Sequence, residues 1–555
     1  MTTRGLLVRF PGYPTQLETL LPDRRLAVAA GYLRDAGHRV EIADYGLPRM
    51  IADLFPASLR DAVSAIVRRF NDEAPANPLL TLHTLWSVHS TDRAFRTRRA
   101  EQCRWVGEEI ARREWDFALF AVHSADDVVP ALRIARHIRE LCPGRKLGVL
   151  GRFVEMFAEP LLTCDDVFDC AFRAEGEASV VLWADRLSSR HDWTEIPNLV
   201  YRENGGVRRT RSEPSELSRA PLPAYDPDVY EAIGDIGAKI RLFEIEDSRG
   251  CPRSCYAIPR VAAEAWPRLR PVRLVCDEIR RLMAVYGARA FRFTESKASG
   301  ASHVGAVALG LLRQGLDAVY SRRIHSCFVV SEEFPAWRVS GCRAVAFQVD
   351  TGSQRLLDDY FGRSAGVSRI EEMLRDAKEA GLQTIVRITY PTPADDYHTR
   401  EETLRLLTRT KPHAVVVSLP EVKPRSVWFA QPARFGFWMH SKFSDEPWLN
   451  YRTRFPLPPE RWQALPYRIG SLAAGQVVQE QESLISAIER LGVPTRVSEE
   501  LAVAAELSGD DAADLARRIT ATLYSGDEEA VRELAVRMNG ALCTSGKSLR
   551  AAVGN

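Results

Sequence analysis

Two long stretches of this chain alternate short apolar runs with amphipathic segments of helical spacing, which restricts the fold to strands and helices taken in turn. In the first, 5–187, the candidate strands are Gly5–Phe10, Arg39–Ala43, Phe117–His123, Lys146–Leu150 and Val167–Phe172. Helical spacing covers Arg25–Ala36, Asp126–Cys142 and Glu155–Leu162, and resumes from Ala178. This pattern predicts an α/β domain with a doubly wound (Rossmann-like) parallel sheet, whose ligands bind where the loops at the carboxyl ends of the strands converge. Those loops hold Gly12 and Tyr13, Ser124, Gly151 and Arg152, and Glu175 and Gly176. An Arg-rich insert of helical pattern interrupts the stretch at about 47–114. Its His83 and His89 carry no assigned chemistry.

In the region 188–240, Asn204-Gly205-Gly206 joins two short strand-like pieces and predicts a hairpin. The four prolines of Pro214–Pro227 predict an irregular linker. The second alternation starts near Lys239, with candidate strands Arg241–Asp247, Ala290–Thr294, Ser326–Val330, Ala344–Val349, Thr384–Thr389 and Ala414–Leu419. Helical spacing separates them over Val272–Tyr286, Val304–Gln314, Glu332–Ser340, Ser353–Ala380 and Thr399–Thr408. Six strand–helix repeats predict a (β/α)6 partial TIM barrel with its site at the carboxyl ends of the strands. An aromatic-rich segment from Phe435 to Tyr451 follows, then helices over Gln476–Leu491, Glu499–Leu507, Asp510–Leu523 and Glu528–Met538, read as a small helical bundle. The expected divisions are thus 1–190, a linker at 191–238, a barrel at 239–431 and a helical C-terminal domain within 432–555.

The charge balance narrows the function. The 75 Lys+Arg nearly cancel the 73 Asp+Glu, leaving a net charge of +2, so no strongly basic nucleic-acid surface is expected. No apolar run is long enough to span a bilayer, and the expectation is a cytoplasmic protein without nucleic-acid or membrane partners. Ten Cys in 555 residues are too sparse for a disulfide scaffold. Eight of them read as small buried hydrophobes, but Cys251 and Cys255 do not.

The first barrel strand runs into Ser248-Arg249-Gly250-Cys251-Pro252-Arg253-Ser254-Cys255-Tyr256-Ala257-Ile258. This segment resembles the radical S-adenosylmethionine superfamily, in the subgroup with an N-terminal cobalamin-binding domain. There an Arg-Gly-Cys-Pro entry leads into a Cys-x3-Cys-x2-Cys loop whose thiolates hold a 4Fe–4S cluster with one iron open to S-adenosylmethionine. Further resemblances occur in the family's order: Ala174-Glu175-Gly176-Glu177, Ile196–Arg202 with its hairpin, and Gln348–Gln354. The resemblance implies a cobalamin-binding domain at 1–190, with cobalamin held by the loop residues named above. It further implies that Cys251 and Cys255 are metal ligands and that Glu295 and Asp350 contact S-adenosylmethionine. A reductase partner is implied where a cluster is present.

The departures bear on the chemistry. Ile258 stands where the third thiolate belongs, and an alkyl group cannot ligate iron. Ala257 replaces an aromatic, Asp350 a Glu, and Ile388–Pro391 lacks the usual Gly. Three readings stay open. A cluster on Cys251 and Cys255 takes a substitute ligand, with Cys327 and His325 the candidates; or the scaffold performs polar cobalamin or S-adenosylmethionine chemistry such as methyl transfer or a rearrangement; or the chain is a non-catalytic binding paralogue. Glu244 and Glu246 alternate with apolar residues on the first barrel strand, and acids turned into a barrel demand a cation or a substrate, which makes both catalytic candidates. Asp395, Asp396 and His398 read as a helix cap rather than a metal site.

Overall fold

The apolar runs of the first stretch become parallel strands covered by helices on both faces, and this explains their continuous hydrophobicity. The computed structural model describes residues 2–12, 17–54, 78–187, 190–251, 255–259, 267–296, 301–326, 331–439 and 467–543, with backbone alone for 78–89, 91, 92, 190–192, 295, 296, 301, 302, 474 and 475. Strands β1 (Arg4–Arg9), β2 (Arg39–Asp44), β3 (Phe117–Ala121), β4 (Lys146–Leu150) and β5 (Cys170–Phe172) pair in parallel. They are continued by the antiparallel hairpin of β6 (Leu199–Glu203) and β7 (Gly206–Arg209), giving the order β2-β1-β3-β4-β5-β6-β7. The hairpin read from Asn204-Gly205 is present, with both residues at positive φ (52° and 77°), but it extends the first sheet. The insert contributes helices Pro48–Leu54 and Pro78–Ala111. Among the described residues no helix is long and apolar enough to cross a membrane.

The second sheet is all parallel, in the order β15-β14-β13-β12-β11-β8. Its strands are β8 (Phe243–Ile245), β11 (Ala290–Ser296), β12 (Val319–His325), β13 (Cys342–Asp350), β14 (Gln383–Thr389) and β15 (Ala414–Ser418). The short β9 (Ser248–Arg249) and β10 (Arg268–Leu269) pair antiparallel beside it. Six strands in sequential order, with helices between, form the partial barrel.

Two expectations need correction. The third barrel strand is Val319–His325, ahead of the predicted 326–330, of which 327–330 lie outside the described residues. The helix expected over Ser353–Ala380 breaks into a π-helix, Leu356–Phe361, and an α-helix, Val367–Glu379, with Gly362 left-handed between them (φ 62°). The C-terminal helices Glu499–Ser508, Ala512–Leu523 and Glu528–Leu542 pack on one another, as the helical reading expected. Ala474–Arg490 packs on β15 and on the helix Tyr397–Thr410, whereas Glu499–Ser508 packs on β11, β12 and β13. That second helix shares a core with Ala290, Val319, Ala344, Ala346, Ile385 and Ala414, small or mid-sized residues that leave it room, and so floors the barrel. The barrel's free edge at β15 is met by 494–495, where Val415 N–H donates to the Pro494 carbonyl (2.9 Å).

The cysteines mostly follow the buried reading. Cys103, Cys170, Cys276 and Cys342 are buried and Cys142 and Cys543 half-buried, but Cys164 is exposed, because the helix Val154–Cys164 ends there.

Candidate functional site

The strand order 2-1-3-4-5 places a topological switch point between β1 and β3, the crevice where open α/β sheets take ligands. Gly12 lies there, its N–H donating to Asp127 Oδ1 (2.7 Å). A Cβ on Gly12 would fall 1.9 Å from the Asp126 carbonyl oxygen, so only glycine lets the β1 loop lie on the next helix. Ser124 caps that helix, Ala125–Leu141, and its N–H donates to Asp127 Oδ2 (3.0 Å). His123 Nε2 sits 2.6 Å from Asp23 Oδ2. Gly151 has φ 131°, with the Val122 carbonyl oxygen 2.2 Å from where a Cβ would stand. Tyr13 lies outside the described residues.

Ion pairs bring this sheet edge onto the barrel. Arg152, directly after β4, crosses to Glu244 on β8, with Nη2 3.0 Å from Oε1. Arg292 on β11 holds the same carboxylate from the other side (2.8 Å). Burial would raise the Glu244 pKa, but these guanidiniums outweigh it and bring it to about 2. Arg249, of the Arg-Gly-Cys-Pro segment, donates from Nε and Nη2 to Glu246 (2.8 and 2.9 Å) and reaches Glu177 (3.0 Å) and Glu175 (3.4 Å) in the loop after β5. Glu246 is likewise brought to about 2, with Arg249 overcoming the cost of burial. Arg268 on β10 donates to Glu175 (2.7 Å), and so does the Ser215 N–H (2.9 Å). Gly176 packs against Phe172 at the start of the helix Glu177–Asp185. Glu175, Glu244 and Glu246 thus serve as anionic clamps between the modules. The lowered pKa values of Glu244 and Glu246 unfit both for proton shuttling near neutrality.

The thiol segment opens at the barrel mouth. Gly250 takes φ 87°, Cys251 is half-buried and Cys255 is 2% exposed. Tyr256 anchors the turn: its N–H donates to the Phe361 carbonyl (3.0 Å) and its carbonyl accepts from the Trp428 N–H (3.1 Å). Its ring lies 5.5 Å from that of Phe435, in a cluster with Tyr360, Trp428 and Phe437. The part of the aromatic segment described here therefore underpins the thiol loop. Ile258 is half-buried and offers no donor.

The cluster implied by the resemblance needs three protein ligands. Among the described residues no group of three His, Cys, Asp or Glu side chains is placed to hold a metal ion. Cys327 lies outside those residues, as does the Glu295 side chain. His325, buried at the end of β12, meets Arg363 through Nε2. The donors described do not fit a three-thiolate cluster, and no step is routed through one. Asp350 is buried at φ 72° and accepts from Gln348 (2.8 Å), Thr389 (3.0 Å) and Arg363 (2.8 Å), so its carboxylate is already engaged. Asp396 caps the helix Tyr397–Thr410, as the capping reading expected.

Sequence reasoning missed the arginines at the module interface other than Arg152 and Arg249, and it missed Glu499 and Glu500. Glu499 pairs with Arg323 (2.7 Å), and Glu500 lies 3.7 Å from Arg292. The one available signal was an Arg set inside each of three barrel strands, as in Arg292, Arg323 and Arg387.

No model of a known protein family matches the chain. It is 26% identical over 242 residues to an uncharacterized methyltransferase of Pyrococcus horikoshii, covering 42% of this chain and 50% of that protein. It is 21% identical over 296 residues to cytidylyl-2-hydroxyethylphosphonate methyltransferase of Streptomyces wedmorensis, covering 47% and 54%. The chain spans about half the length of these curated relatives. Among solved structures it is similar to TsrM from Kitasatospora setae, a radical S-adenosylmethionine methyltransferase with cobalamin and a [4Fe-4S] cluster bound. The TM-score is 0.64 at 15% identity, over 96% of this chain and 99% of that one. A second TsrM structure, holding tryptophan substrate and an S-adenosylmethionine analogue, gives 0.61 at 16% identity over 88% and 89%. The chain therefore has the fold of the cobalamin-binding radical S-adenosylmethionine methyltransferases.

Proposed function

We propose that the chain is a cobalamin-dependent enzyme that modifies a small molecule by methyl transfer or a rearrangement, with its iron–sulfur centre altered or absent. The observation that carries this reading is the Arg152–Glu244–Arg292 bridge, which joins the carboxyl edge of the first sheet to the barrel's interior. The methyltransferase names of both relatives support it. The edge itself suits a flat, amide-rich ligand. The small residues Gly12, Ser124 and Gly151 keep bulky side chains out of these loops, while Arg152 and Glu175 keep the barrel in place. Cobalamin, when bound, supplies a cobalt centre that carries a methyl group. Ile258 favours polar transfer, with S-adenosylmethionine as methyl source, over the radical route. The reading places the chain in the cytosol, acting without nucleic acid or membrane, and makes a reductase necessary only where iron is found.

The test is the cofactor content of anaerobically purified and reconstituted protein, by visible absorption and by iron and sulfide assay. The expected result is one cobalamin per chain with fewer than about four irons. About four irons would restore the radical route, and absence of both groups would overturn the proposal.

A further inference from the structure

The insert that interrupts the first module brings a charge to that module's carboxyl edge. Arg99, on the helix Pro78–Ala111, lays its guanidinium over the ring of Phe10, 3.9 Å from the centroid. Phe10 directly follows the last residue of β1 and leads into the turn at Gly12, so Arg99 stands beside the crevice between β1 and β3. The helix is fixed at that level. Gln102 donates from Nε2 to the Met50 carbonyl (2.8 Å) and to Asp53 Oδ2 (2.9 Å), and its own carbonyl accepts from Arg99 Nη1 (3.0 Å).

The rest of this guanidinium is unmatched. Arg99 is 6% exposed, and its Nε and Nη2 are buried with no hydrogen-bond partner among the described residues. Asp127, the acid whose field reaches it, is committed elsewhere, accepting from the N–H groups of Gly12 (2.7 Å), His123 (2.8 Å) and Ser124 (3.0 Å). Cys103, one turn along the helix, is a neutral thiol whose pKa burial raises further. Arg9, Arg24 and Arg249 are also withdrawn from solvent, but they face Asp44, Glu278 and Glu246 respectively. Burial brings Arg99 down to about 10, which leaves it charged near neutrality. An aromatic face and one amide oxygen do not replace the water that such a cation gives up. Nε and Nη2 lie on the same edge of the guanidinium plane, the edge that meets two oxygens of a carboxylate or phosphate with paired hydrogen bonds.

We propose that Arg99 anchors the phosphate of cobalamin's nucleotide arm. The inference rests on the cobalamin reading above and adds how the complete cofactor is recognised. The side chains of the corrin are neutral amides, and the phosphodiester that carries the base is the anionic group of the molecule. The crevice loops take the corrin, while the insert helix supplies the counter-charge for the arm. A guanidinium suits this role better than an ammonium, because its fork is planar and is more weakly hydrated.

The test compares aquacobalamin with diaquacobinamide, which has the same corrin and lacks the phosphate and the base. Affinities for the full chain and for Arg99→Met are read by equilibrium dialysis with visible absorption. Methionine keeps an apolar side chain against Phe10 and removes the charge. Arg99→Met should weaken cobalamin about tenfold or more and change cobinamide less than about twofold. Arg99→Lys should keep part of the cobalamin affinity, since it retains the charge without the fork. Without any corrinoid, Arg99→Met should unfold thermally at or above the midpoint of the parent, because a buried unpaired charge is gone. An equal loss for both corrinoids, an unchanged cobalamin affinity, or a variant that unfolds below the parent overturns the inference and leaves the cobalamin reading standing. A parent chain that takes up neither corrinoid sinks the cobalamin reading itself, and the inference with it.

Discussion

A buried guanidinium ties the two halves of this chain together. Arg249 is 14% exposed and faces Glu175, Glu177 and Glu246, three acids drawn from both modules. Removing one partner of a buried ion pair leaves its acids uncompensated. Arg249→Ala should therefore lower the unfolding free energy by about 3–5 kcal/mol, read from urea denaturation. Arg249→Lys should recover only part of that loss, since an ammonium cannot span the same fork. The depressed acids set a pH dependence. Glu244 and Glu246 fall from 4.5 to about 2 on folding, so their stabilisation is present above about pH 4.5 and is lost as pH falls toward 2. The urea midpoint should drop steeply across that window, and Glu244→Gln with Glu246→Gln should flatten the drop. The alternation on the first barrel strand demanded a cation or a substrate for these acids, and the cation is what they meet. That Arg152 and Arg292 would meet Glu244 was hidden, because both lie far away in sequence.

Elements were legible where burial is uniform and illegible where the interior is polar. Phe117–Ala121 is buried throughout and stands out as a strand. Val319–His325 carries Arg322 against Asp247 on one face and Arg323 against Glu499 on the other, so its pattern reads as polar. The neighbouring apolar run 326–330 drew the prediction instead. Glu499 and Glu500 looked like ordinary acids at a helix start, which charge at a helix N-terminus explains without a barrel. The break after the π-helix rests on Gly362, where φ is 62° and a Cβ would come 2.9 Å from the Tyr256 ring. Gly362→Ala should cost about 1–3 kcal/mol in thermal unfolding and displace Tyr256, and with it the Cys255 turn, measurable as a change in thiol labelling rate.

At the scale of the whole molecule the C-terminal helices complete the barrel. Val503 is fully buried in the core that joins the floor helix to the barrel strands, and the helix Glu528–Leu542 packs on Pro48–Leu54 of the first module. Val503→Asp should abolish soluble expression or cost more than about 3 kcal/mol, because an unpaired charge would enter an apolar floor. Nothing in the local pattern of those helices distinguished a floor from a separate bundle, since an apolar stripe does not name its partner. The order of the modules and the Cys-x3-Cys segment carried the fold, whereas their docking depends on ion pairs that cross between modules.

The decisive measurement is an experimental structure of the cobalamin-loaded chain. The account predicts a corrin lying between the loops of Gly12, Ser124 and Gly151 and the barrel mouth, with Arg152 still on Glu244. A corrin bound elsewhere, or modules drawn apart with that ion pair broken, would contradict it.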